Sequence, residues 1–274
     1  MVYPAASILL KKFFLVISSL TILSSLLAHE FWLSPDKYIY KRGEKINVRF
    51  FTGENFEGRN WKGNKENIRS LKLYYGGVED ELSEYISDQP GDSLALKMLD
   101  EGTNLIAYNS TDSFIETEAS LFQEYLQEKG LMNVIDYRKE NNESGSRGRE
   151  QYQRNAKTLV QIGTKKDNSH SISTVLPVDI IPLTNPYNLK YQDSLKVKIF
   201  FLNSPAVNSL VRIWHHFNGK TVKSALTSNE KGEIKFPVST TGKWMVSMVK
   251  MIRLEYDPCA EWQSYWGSLT WGYQ

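Results

Sequence analysis

Cysteine is nearly absent from the 274 residues: Cys259 stands alone, so no intrachain disulfide and no cysteine-based zinc site can form. A single thiol of this kind is expected to be a small buried hydrophobe. Charge excess is missing too. Lys and Arg number 33 against 31 Asp and Glu, and without Lys11 and Lys12 of the N-terminal segment the two signs balance. A chain so balanced has no global electrostatic reason to seek nucleic acid. Phosphate loops, dinucleotide fingerprints and nucleophile elbows are lacking, which disfavours an ATPase or an α/β enzyme. Carboxylates such as Asp179, Asp193, Glu255 and Asp257 show no acid/base spacing, and no Ser-His-Asp arrangement is legible, so no enzyme is expected. Long hydrophobic runs are confined to the N-terminus, and no stable transmembrane segment is expected in the rest of the chain.

That N-terminal run is informative. Lys11 and Lys12 precede an apolar stretch from Phe13 to Ala28, with Leu26 and Ala28 at the −3 and −1 positions of an export cleavage site. Residues 1–28 are therefore expected to be a signal peptide, placing the protein in the periplasm or cell envelope of a bacterium. Cleavage there makes His29 the first residue of His29-Glu30-Phe31-Trp32-Leu33. Such a histidine offers an α-amine and an imidazole together, a donor set suited to nickel, cobalt, copper or zinc. Trp32 is then expected to wall the site.

The remainder reads as strand and turn. Ile46, Val48 and Phe50 alternate with polar positions, and strands are expected over 70–75, 104–108 and 158–162, with a long polar loop at 52–67 carrying Phe56 and Trp61. At residues 115–129, Ile115, Ala119, Phe122, Tyr125 and Leu126 recur at helical spacing and Gly130 follows as a stop. Residues 139–150 are charged and contain no apolar side chain, predicting a mobile loop. A polar hinge at 164–173, with His170 expected at the surface, precedes further strands over 175–183, 195–200, 209–217, 233–238 and 243–251. The expected fold is mainly β: two β-sandwich units, Ig-like or prealbumin-like, over 29–170 and 171–274, with one amphipathic helix after the first.

The other candidate ligands are His215 and His216. On a strand they point to opposite faces, so His29 can meet only one of them without a bulge. Met245, Met248 and Met251 read as core filling. Lys250 shares a face with Trp244, Val246 and Met248, where it either snorkels or lines a polar site.

Taken together, His29-Glu30-Phe31-Trp32-Leu33, Phe56-Glu57-Gly58, Phe122-Gln123-Glu124-Tyr125-Leu126 with Gly130-Leu131, Tyr152-Gln153-Arg154, Ile180-Ile181-Pro182-Leu183 with Asn185-Pro186-Tyr187, and Gly242-Lys243-Trp244 with Trp262 to Thr270 carry a resemblance. In that order the chain resembles a bacterial family of exported proteins, a domain of unknown function described as the periplasmic component of cobalt/nickel-type ABC uptake systems. The resemblance implies capture of a divalent transition metal, with a membrane metal permease or receptor as partner. In that family the strand after Gly-x-Trp carries a histidine before the methionine; here Lys250 takes its place before Met251. The competing expectation is a non-catalytic Ig-like interaction or carbohydrate-binding module, presenting Phe56, Trp61, Trp262, Tyr265 and Trp266.

Overall fold

The computed structural model describes residues 29–60, 65–86, 94–98 and 100–273. The expected signal peptide and Trp61 lie outside these. In chain order the strands are β1 (Glu30–Pro35), β2 (Ile39–Tyr40), β3 (Lys45–Glu54), β4 (Glu57–Asn60), β5 (Ile68–Tyr75), β6 (Val78–Glu81), β7 (Leu94–Lys97), β8 (Gly102–Ser110) and β9 (Ser113–Thr117). Helices α1 (Ala119–Lys129) and α2 (Met132–Glu140) follow, and then β10 (Gly148–Ile162). After these come β11 (Val178–Pro182), β12 (Ser194–Phe201), β13 (Ser204–Pro205), β14 (Leu210–Phe217), β15 (Lys220–Thr227), β16 (Glu233–Pro237), β17 (Lys243–Arg253) and β18 (Trp262–Gly272).

The fold is mainly β, as the alternation predicts, but its sandwiches are not independent beads. A ten-stranded sheet runs β15-β14-β17-β18-β10-β8-β5-β6, with β2 and β9 also paired to β10. Its two halves are stitched by β18, which pairs in parallel with β10 from Glu150↔Trp262 to Thr158↔Thr270. The last strand thus crosses the expected boundary near residue 170, a pairing over more than a hundred residues that leaves no local trace.

Two smaller sheets cover this long one on opposite faces. Leu105, Ala107 and Leu159 belong to one core with Val178, Ile180, Val197 and Ile199 of the β11-β12-β13-β16 sheet. On the same strands Ile106, Tyr108, Ala156 and Val160 point the other way, into a core with Phe31, Leu33, Val48 and Phe50 of the β1-β3-β4-β7 sheet. This explains why every position of β8 is buried, the mark of a strand covered on both sides.

The helices cap the end of the β1-side face. Phe122, Tyr125, Leu126, Leu131 and Val134 pack on Val249, Met251, Trp262 and Trp266. Their seat is close: a Cβ on Gly148 would lie 2.3 Å from the Phe122 ring. The helix begins at Ala119, not at Ile115, which belongs to β9 because that stretch pairs with β10. Gly130, with φ of 68°, ends it as expected.

Four further expectations are corrected. Residues 139–150, expected to be a mobile loop, contain the end of α2 and the start of β10, and are tied by Glu143 to Arg253 and by Arg147 to Glu116 and Glu118. Within the expected loop at 52–67, residues 52–60 form the β3–β4 hairpin, turned by Asn55 and Phe56 at φ of 57° and 61°, and Lys65–Asn67 form a single 3-10 turn. His170 is buried, its Nδ1 3.2 Å from the Asp167 carbonyl, while Cys259 is exposed.

Candidate functional site

Strand geometry assembles a cavity at the start of β1. On β10, residues Glu150, Tyr152 and Arg154 fall at every second position and share the β1-side face. Together with His29, Ile115 of β9, Tyr125 of α1 and Trp266 of β18 they line a cavity of about 60 Å³.

Glu150 is buried. Its Oε1 accepts a bond from the Tyr125 hydroxyl at 3.2 Å and another from the Ser264 hydroxyl. Burial pushes the carboxyl up to about 7, against the pull of those two hydroxyls. Trp266 donates its indole N–H to Ser264 at 3.1 Å and stacks on Tyr125 at a centroid separation of 5.9 Å. The wall is thereby rigid.

Arg154 is held differently. Its guanidinium carbon lies over two rings, 5.0 Å from the Phe31 centroid and 5.2 Å from that of Tyr152, a cation–π placement. Its backbone N–H donates to the Ser110 hydroxyl at 2.9 Å, and among the described residues no carboxylate pairs with the guanidinium. Burial lowers it below the usual arginine range, opposed by the nearby Tyr152 and Tyr108 phenols.

Burial also lowers the His29 imidazole, opposed by Glu54 and reinforced by Lys129, Arg154 and Arg59. The ring is therefore held neutral at physiological pH, which leaves a nitrogen lone pair for a Lewis acid. Beside it, buried Glu30 pairs with Lys129 at 3.4 Å, and the Lys129 ammonium stands 5.1 Å above Trp266. This pair bolts β1 to α1 and fixes where the chain before Glu30 emerges.

The remaining expected ligands sit elsewhere. His215 stacks on Trp244 at 4.1 Å and its Nε2 lies 2.9 Å from the Thr241 carbonyl. His216 points to the opposite face, its Nδ1 2.8 Å from the Thr221 hydroxyl, in contact with Phe56. Neither lines the His29 cavity: His215 lines a hollow with Ile213, Phe236 and Trp244, His216 one with Asp36, Tyr38 and Lys243. Trp32 is core, stacked on Phe51 and packed with Phe56, Trp214 and Met245. Lys250, opposite Tyr265 in register, is half-buried on the sheet face away from the cavity. Among the described residues no three His, Cys, Asp or Glu side chains converge as a metal cluster.

Glu150 and Arg154 were not among the expected ligands, because Glu150 stands at the end of what reads as a charged loop. The available signal was the polar i, i+2, i+4 spacing of Glu150, Tyr152 and Arg154. The aromatic residues of the interaction-module expectation are mostly packed inside: Phe56, Trp262 and Trp266 are buried, and Tyr265 is half-buried. No helix of the described residues is long and apolar enough to cross a membrane.

A family profile described as a domain of unknown function, DUF4198, matches residues 26–251. No curated protein matches. Among solved structures, a DUF4785 family protein from Legionella pneumophila is 10% identical over 78% of this chain, with a TM-score of 0.24, too low to carry an argument. This chain spans 50% of that protein's length.

Proposed function

The chain belongs to the DUF4198 family, and from that premise we propose that it is an exported, non-catalytic protein that binds a divalent transition metal, nickel or cobalt or else copper, at the His29 cavity for delivery to a membrane metal permease or receptor. The observation that carries the reading is the pairing, in one small cavity, of an imidazole held neutral and a carboxyl whose proton is poised to leave near pH 7. A cation displaces that proton and gains a hard oxygen donor beside a borderline nitrogen. With export cleavage before His29, its amine becomes a third donor. Glu150 thus takes the place first expected for His215 or His216.

Titration of the exported protein with Ni(II), Co(II) and Cu(II) by calorimetry tests this. One ion should bind per chain, at least ten-fold more weakly after His29→Ala or Glu150→Gln. Binding of no metal, or binding indifferent to both substitutions, contradicts the reading.

A further inference from the structure

Metal capture at His29 and Glu150 leaves Arg154 unexplained. A guanidinium in a cation site repels the cargo, and here it faces the cavity with no carboxylate partner among the described residues. We propose that the cavity takes its metal as a complex with a small carboxylate chelator, of the hydroxy- or amino-carboxylate class, whose carboxylate lies against Arg154. The inference rests on the metal reading above and names the form of its cargo.

Three observations converge. The first is the placement of the guanidinium: its carbon lies over the Phe31 and Tyr152 rings, at 5.0 Å and 5.2 Å, and no carboxylate of the described residues pairs with it. A guanidinium so placed suits two-point binding of a carboxylate. The second is donor count. His29 and Glu150 are the ligating side chains lining the cavity. Even with the His29 amine the chain supplies three donors to ions that take four or more. A chelator completes the shell.

Charge is the third. Lys129 is offset by Glu30, whereas Arg154 lines the cavity itself. A bare dication there meets the like charge of Arg154, whereas a chelate carrying carboxylates arrives neutral or anionic and is drawn to it.

Equilibrium dialysis of the exported protein with Ni(II) and radiolabelled citrate tests the proposal. The wild-type protein should retain nickel and citrate together, one of each per chain. Arg154→Gln should lower citrate retention at least ten-fold, and Arg154→Lys should restore part of it. Nickel retained without citrate, or citrate retained equally by Arg154→Gln, overturns the proposal and leaves the metal reading standing. Citrate retained through Arg154 with no nickel supports the carboxylate subsite and overturns the metal reading. A comparison on the wild-type protein alone covers an Arg154 variant that does not fold. Nickel presented with ethylenediamine, which has no carboxylate, should be retained at least ten-fold less than nickel with citrate; equal retention overturns the proposal.

Discussion

Strand β10 carries two sets of charges on its two faces, and they are treated in opposite ways. Toward the β11 sheet, buried Lys157 reaches Asp179 at 2.6 Å, and that carboxylate also accepts the Ser173 hydroxyl and the Thr174 amide and hydroxyl. Each Asp179 oxygen has two donors, and the ion pair is closed. Toward β1, Glu150 and Arg154 lie four residues apart on one face and do not pair; Glu150 takes two hydroxyls, Arg154 two aromatic rings. A closed pair joins sheets. Charges kept apart around a cavity leave bonding capacity for something that is not the protein, and desolvation makes that capacity costly to maintain.

The comparison can be broken most forcefully at its closed side. Asp179→Asn leaves Lys157 buried without its counter-charge, and should cost about 3–5 kcal/mol in denaturant unfolding. A loss under 1 kcal/mol would show that the pair is not the clip described.

Glu150 gives the next largest effect, and with the opposite sign. Its carboxyl is raised from 4.5 to about 7 in the folded chain. The folded state therefore holds a proton that the unfolded state has released, and the stability associated with it is present below about pH 4.5 and lost as pH rises through about 7. For the metal-free protein this one group should lower stability by about 3 kcal/mol between pH 4 and pH 8. Glu150→Gln should remove that slope, so its stability gain over wild type appears at pH 8 and vanishes at pH 4. Parallel profiles for the two proteins would contradict the assignment.

Arg154→Gln should change folding stability by only about 1 kcal/mol, since it removes two ring contacts and no ion pair. Loss of a much larger amount would move Arg154 to the structural side of the comparison. Smallest of all, His29→Ala should leave the melting temperature of the metal-free protein within about 2 °C, because a half-buried imidazole without an ion pair carries little of the fold.

Much of this contrast was hidden in the sequence for identifiable reasons. Strands such as β12 alternate cleanly and are legible, since one face packs and the other does not. β18 alternates poorly because it is buried almost throughout, and its parallel partner β10 lies over a hundred residues away. Ile115 joins a helical pattern by coincidence of spacing, while pairing with Glu150 makes it strand. His29 was legible from the segment before it, and the facing directions of His215 and His216 from period two. Their distance from His29 was not, because it depends on how the β1 sheet packs over the long sheet and on where β14 lies in the latter. Glu150 and Arg154 follow a run of charged residues that ties to other strands through Arg147 and Glu143, and nothing local separates a solvated charge from one lining a cavity.

The central claim is that the open side of β10, and not the histidine pair on β14, receives the metal. Electron paramagnetic resonance of the Cu(II)-loaded protein, read for nitrogen coupling, addresses it directly. The account predicts coupling to a single imidazole that disappears in His29→Ala and persists unchanged in the His215→Ala/His216→Ala double variant. Coupling that survives loss of His29 and vanishes with His215 and His216 would contradict it.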